Sequence, residues 1–256
     1  MFPLRDENPT LSTSWATLLL IALNGAAWFF AQGLGTEPAL SNSVCTLGAI
    51  AGELLGTLPP GTQVQTGPNT VCVLTDDPNW ITPLTSMFLH GGWFHLIGNL
   101  WFLAVFGDNV EDSMGAGRFV VFYVICGLVA VAAQLLANPV SPVPMVGASG
   151  AIGGVMGAYA ILYPRVPVHM LVFLGFFFTR IIVPAYLLLG YWFMLQILGG
   201  IPTVGGTGVG VAFWAHVGGF VAGVGLIKLF ERRKLVEAKR QKRQLTREEL
   251  GRWERW

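Results

Sequence analysis

A serine opening one apolar run and a histidine inside another are the two side chains here whose types point to chemistry. Ser149 stands in Val146-Gly147-Ala148-Ser149-Gly150-Ala151, at the start of a stretch built of small residues. Alone it carries little, because small residues let apolar helices approach closely. His216 is harder to read as filler: an ionisable ring in an apolar run is costly, and such rings face the protein interior or a water-filled cavity. A serine hydroxyl bonded to an imidazole is a nucleophile with its general base, and acyl transfer is what such a pair performs.

The neighbours of both residues suggest how they meet. Gly219 and Gly223 follow His216 on one helical face, and Gly153 and Gly157 follow Ser149 on another. Two glycine stripes can pack face to face and bring Ser149 and His216 together. The rise per residue puts Ser149 roughly 5 Å and His216 roughly 8–10 Å into their helices, at similar depth. His95 and Asn99 lie one turn apart on a third helix entering from the same side. Either could donate to the oxyanion of a tetrahedral intermediate, and the Ser149 backbone N–H is a further donor.

Other ionisable residues fit less well. Asp108, Glu111 and Asp112 fall about a membrane thickness away, at the opposite end of the His95 helix. Asp76 and Asp77 lie in a connecting loop, with no pattern that sets them beside His216. His90 reads as a hydrogen-bonding loop residue and His169 as an interfacial one. No His-Glu-x-x-His is present, so the reading calls for no metal and no cofactor.

These residues must be positioned by helices in lipid. Of 256 residues, 53% are hydrophobic and only 11% charged, against about a quarter in a soluble domain. Apolar runs at Trp15–Leu34, Trp93–Gly107, Phe119–Leu136, Val146–Tyr163, Ile181–Leu198 and Val209–Phe230 predict six spans in an all-α polytopic bundle. The second run is short, about 22 Å. Val168–Thr179 is also apolar, and its 12 residues suit an interfacial or re-entrant segment. Six spans put both termini on one side, with Arg5, Arg118, Arg165, Arg180 and the tail in the cytoplasm. Residues 1–14 form a short cytoplasmic N-terminus, too polar for a cleavable signal, 15–230 the membrane domain and 231–256 a basic tail. The outer connections, 35–92, 137–145 and 199–208, contain no Lys or Arg.

Cys45 and Cys72 lie in the long outer loop, where an oxidising compartment would allow them to pair. Cys126 lies mid-span as a small buried residue. The tail, with Leu250, Trp253 and Trp256, reads as a helix with a membrane-surface face or as a solvated topology anchor.

Three motifs in order resemble the rhomboid family of intramembrane serine proteases, over about Trp80 to Gly225. They are His90-Gly-Gly-Trp-Phe-His95-Leu-Ile-Gly-Asn99, Gly147-Ala-Ser149-Gly150-Ala and Ala215-His216-Val-Gly-Gly219. The resemblance implies a six-helix rhomboid-like core with Ser149 as nucleophile, His216 as base, and His95 and Asn99 at the oxyanion. It implies a structural role for Glu111, a mobile fifth helix, and a substrate gate that the glycine-rich run 199–210 suits. Many members carry an aromatic residue four after the nucleophile, beneath the catalytic histidine. Gly153 stands there in this sequence, so a residue of the second or fifth helix has to fill the space.

The expected function is therefore a multi-pass intramembrane endopeptidase, implied to sit in a bacterial plasma membrane with its site toward the outer face. Its partners would be transmembrane protein substrates and the lipid bilayer, not nucleic acid. The resemblance implies cleavage where a substrate helix unwinds, which is physically reasonable because a hydrogen-bonded helix presents no free carbonyl. An inactive relative that binds membrane helices would lack reason to keep Ser149 and His216. A transporter would need polar residues through both leaflets and repeated half-motifs, which the sequence does not show.

Overall fold

The computed structural model describes residues 2–67, 70–174, 177–205 and 210–244. A strand β1 (Phe2–Asp6) precedes helix α1 (Trp15–Ala26), which runs on into a π-helical turn, Ala27–Ala31. The long polar connection holds α2 (Ala39–Leu47), α3 (Ala51–Leu54), a hairpin of β2 (Gln63–Gly67) and β3 (Thr70–Val73), and α4 (Thr82–Thr85). Helices α5 (Trp93–Met114), α6 (Ala116–Ala137) and α7 (Ser149–Leu162) follow. Strands β4 (Pro167–Leu174) and β5 (Phe177–Pro184) lead to α8 (Ala185–Gly200), α9 (Phe213–Phe230) and α10 (Arg233–Gln244). By length and composition α6, α8 with its following turn, and α9 are able to cross a bilayer, with mean hydropathies of 2.5, 1.4 and 1.5.

Strands correct the all-α expectation. The apolar segment at 168–179, expected to be interfacial or re-entrant, is extended: β4 and β5 pair antiparallel from Pro167↔Pro184 to Leu174↔Phe177. The run is rich in β-branched and aromatic residues, which favour a pleated surface. Residues 181–184, expected in the fifth span, belong to β5, and Pro184 marks the point where α8 starts. The N-terminus supplies a third strand, β1 on β4, with Phe2 opposite Leu171. His169 meets Glu7 at 2.8 Å on this sheet.

The second apolar run is longer than expected, because α5 continues past Gly107 to Met114. Its acidic end stays helical because other elements use the carboxylates. Glu111 accepts from the backbone N–H of Ala16 (3.0 Å) and Thr17 (2.8 Å) and from the Thr17 hydroxyl (2.8 Å). It thereby caps the N-terminus of α1, whose own Ser14 makes no side-chain cap, and places negative charge at the positive end of the helix. Asp112 accepts from the Leu11 N–H at 2.7 Å and from the Lys239 ammonium at 2.8 Å. Lys239 is fully buried and lies 5.5 Å from the Tyr163 ring centroid, so α10 docks on the protein and is not a solvated anchor. Leu250, Trp253 and Trp256 lie outside the described residues.

At the other end of the bundle, Cys45 and Cys72 form a disulfide, and buried Cys72 packs with Ile50 and Leu74. The tied loop lies along the segment before α7. Ala49 bridges Met145, and the Gly52 N–H donates to the Ser141 carbonyl at 2.9 Å. Cys126 is buried in α6, as expected.

Helix α7 is the centre of the bundle, packed against α5, α6, α8 and α9. It is shorter than the predicted run, since residues 146–148 precede it and the Gly147 N–H donates to the Ser86 carbonyl at 2.9 Å. Fourteen residues reach about 21 Å, less than a hydrocarbon core of about 30 Å. A helix that short begins below the rim of the bundle, and Ser149 is its first residue.

Candidate active site

Ser149 is presented by a turn that requires glycine. Gly147 has φ +134°, and a Cβ there would stand 2.8 Å from His95 Nε2. His216 lies in the first turn of α9, with Nε2 at 2.7 Å from Ser149 Oγ. Because α9 starts at Phe213, His216 is about 5 Å into its helix, shallower than expected, and it meets Ser149 at the very start of α7.

Glycine packing brings the two helices together through the expected stripes. Cβ atoms at Gly219 and Gly223 would each come within 1.9 Å of a carbonyl oxygen, of Gly150 and Gly154 respectively. Cβ atoms at Gly153 and Gly157 would lie 3.1 and 2.3 Å from the carbonyl oxygens of His216 and Phe220, so this stripe faces α9. Cβ atoms at Gly150 and Gly154 would instead come first against Ala130 and Cys126 of α6, at 2.6 and 2.4 Å. The hydroxyl is left at the edge of the contact, where it reaches both His216 and a cavity.

That cavity has a volume of about 490 Å³ and is lined by Ser149, His216, His95, Asn99, Trp192 and, from the disulfide-tied loop, Ala49. The Gly91 N–H donates to His95 Nδ1 at 3.2 Å. A ring whose Nδ1 accepts carries its proton on Nε2, and this nitrogen is the one beside Gly147 and Ser149. Asn99 Nδ2 donates one hydrogen to the His95 carbonyl at 2.8 Å and keeps a second. The Ser149 N–H, in the first turn of α7, has no intrahelical acceptor. The three expected donors therefore border one cavity.

His90 departs from the expected role. It is fully buried, and neither ring nitrogen has a hydrogen-bond partner among the described residues. Its backbone is held instead: its N–H donates to Gln32 Oε1 at 2.8 Å and its carbonyl accepts from Gln32 Nε2 at 2.7 Å. Its ring packs edge-on against His95, with centroids 5.1 Å apart, because the Gly-Gly turn folds the loop back onto α5.

The sequence reading missed Gln196 and named no residue for the space over Gly153. Trp192 of α8 fills it: its ring lies 5.7 Å from that of His216, and a Cβ on Gly153 would be 3.7 Å from it. Gln196, one turn on, meets His216 Nδ1 at 2.8 Å. A lone amide in an otherwise apolar helix was the available signal. Among the described residues no carboxylate lines the cavity.

Residues 77–233 match the model of the Rhomboid domain. The chain is 34% identical over 147 residues to Rhomboid protease GluP of Bacillus subtilis, covering 57% of this chain and 26% of that protein. It is 39% identical over 77 residues to Rhomboid-like protein 11, chloroplastic, of Arabidopsis thaliana, covering 30% and 27%. Putative rhomboid protease YdcA of Bacillus subtilis is 32% identical over 83 residues, covering 32% and 41%. The chain thus spans under half of these relatives' own lengths. The domain match runs through most of the helical bundle and includes Ser149, His216, His95 and Asn99, and the chain, an integral membrane protein, belongs to the rhomboid family.

Proposed function

We propose that this chain is an intramembrane serine endopeptidase that uses Ser149 and His216 to cleave membrane-spanning proteins. The observation that carries the proposal is the 2.7 Å contact between Ser149 Oγ and His216 Nε2 at the wall of a cavity inside the bundle. His216 takes the hydroxyl proton as Oγ attacks a peptide carbonyl. The oxyanion is met by His95 Nε2–H, the free Asn99 hydrogen and the Ser149 N–H. His216 then delivers its proton to the leaving amine. Water, deprotonated by the same ring, attacks the acyl-enzyme, and Ser149 regains its proton as the carboxylic product leaves.

In this reading residues 15–230 make six spans: α1 with its π-helical turn, α5, α6, α7, α8 and α9. Both described termini face the cytoplasm, and the site opens toward the outer face of a bacterial plasma membrane. Segregation of Lys and Arg supports that orientation. The substrate is a single-span helix that unwinds near the site, since only an unwound segment exposes a carbonyl to Ser149.

The test is co-reconstitution into liposomes with a panel of tagged single-span proteins, followed by mass mapping of the products. Cleavage within or beside a span by wild type, and not by Ser149→Ala, is expected. Intact substrates throughout the panel, with the protein folded and labelling by a serine-directed probe also absent, would leave an inactive helix-binding member of the family as the better reading.

A further inference from the structure

Resting on the protease reading, we propose that Gln196 is a positioning residue for the general base: its side-chain oxygen holds the Nδ1–H of His216 and so points the Nε2 lone pair at Ser149. Gln196 lies on α8, is 8% exposed, and places Oε1 at 2.8 Å from His216 Nδ1. Its other amide atom fixes which way round it sits. Nε2 donates to the Trp192 carbonyl at 3.1 Å, an acceptor only, so Oε1 is the atom presented to the ring.

An imidazole whose Nδ1–H is held by an acceptor has its lone pair on Nε2, the tautomer a general base for Ser149 requires. During attack the Ser149 proton passes to Nε2, while the Nδ1–H remains on Oε1 and the amide dipole stabilises the imidazolium that forms. Nothing is transferred to Gln196. Trp192 completes the arrangement by covering the ring face that Gly153 leaves bare. The orienting groups thus come from α8, whereas the dyad comes from α7 and α9. A displacement of α8 along α9 breaks the bond to Nδ1 without touching Ser149. Among the residues lining the cavity, His95 is the other titratable group besides His216, and its ring belongs to α5.

The test measures the rate of covalent labelling by a fluorophosphonate probe across pH, using the full chain in detergent. Wild type is compared with Gln196→Leu, Gln196→Glu and Ser149→Ala, and folding is checked by size exclusion and thermal scans. Gln196→Leu removes the acceptor at similar volume and is expected to slow labelling about ten-fold or more, toward the roughly 10⁴-fold that a wrong tautomer costs a serine–histidine–aspartate enzyme. Gln196→Glu keeps the acceptor and adds charge. It is expected to label readily, with the acidic limb of its profile moved to higher pH by about one unit or more, because a carboxylate favours the imidazolium. Leu and Glu variants that both label as wild type, or that slow equally with an unmoved profile, would reduce Gln196 to packing and overturn the inference while leaving the dyad intact. Labelling absent from wild type, or persisting in Ser149→Ala, would instead overturn the protease reading itself.

Discussion

Gly219→Ala tests whether glycine contact between α7 and α9 is what sets the dyad distance. A Cβ at Gly219 would lie 1.9 Å from the Gly150 oxygen and 2.8 Å from its carbon, against an ordinary contact of 3.4 Å. The shortfall to the oxygen is about 1.5 Å, and the opposing atoms are backbone, which no rotamer change can move aside. The Ser149–His216 bond of 2.7 Å spans the same two helices within a turn of this contact. Separation by about 1 Å carries it to about 3.7 Å, beyond hydrogen-bonding reach. Overpacking of this kind costs about 1–3 kcal/mol, which leaves a folded bundle, whereas loss of the general base costs about 100-fold or more in rate. The assay is fluorophosphonate labelling of detergent-solubilised protein, with thermal unfolding read in parallel. Gly225→Ala serves as control, since a Cβ there meets nothing within 4 Å. Gly219→Ala is expected to remain folded but to label at least about 100-fold more slowly, and Gly225→Ala to match wild type. Wild-type labelling by Gly219→Ala, or equal losses in both variants, would refute the reasoning.

Three further perturbations address the frame around the site. Glu111→Ala strips the cap from α1 and leaves two buried N–H groups unpaired, at about 1–3 kcal/mol each. Thermal scans should show a large loss, while labelling of the protein still folded stays near the wild-type rate, because Glu111 is remote from the cavity. Cys45→Ser with Cys72→Ser opens a loop whose ends are 27 residues apart in sequence, and chain entropy puts the loss at about 3.5 kcal/mol. Non-reducing thermal scans should show it, and a reductant should lower wild type to the same level. Asp6 supplies a pH dependence: burial raises its carboxyl from 3.8 to about 6, countered in part by the Tyr159 hydroxyl bond and by Lys239. Between those values the folded protein binds more protons than the unfolded chain, so stability falls as pH rises from about 4 to about 6. Asp6→Asn should lessen that fall, giving a variant that gains on wild type at about pH 8 and not at about pH 4; parallel pH dependence in the two proteins would rule this out.

Legibility in the sequence followed how local each signal was. The meeting of Ser149 and His216 could be read because they and their glycines lie on helices, where spacing fixes the face. The use of the other glycines of α7 could not. Gly153 and Gly157 face α9 as their spacing from Ser149 suggests, but that Gly150 and Gly154 turn toward Ala130 and Cys126 of α6 is decided by the helices together. The acidic end of α5 escaped the hydropathy reading because Asp108, Glu111 and Asp112 look like a helix exit until their partners on α1 and α10 are known. The β4–β5 hairpin was hidden for a related reason: a short apolar run of β-branched and aromatic residues has no period that separates strand from buried helix. Gln196 carried a signal, one amide in an apolar helix, but its use depends on α8 standing beside α9, which no spacing within α8 reveals.

The most direct test of the central claim is fluorophosphonate labelling of the solubilised full chain, with the modified residue mapped by mass spectrometry and with Ser149→Ala and His216→Ala alongside. The account predicts one adduct, on Ser149, in wild type and none in either variant. An adduct on another residue, undiminished labelling in His216→Ala, or a folded wild type that takes up no probe would contradict it.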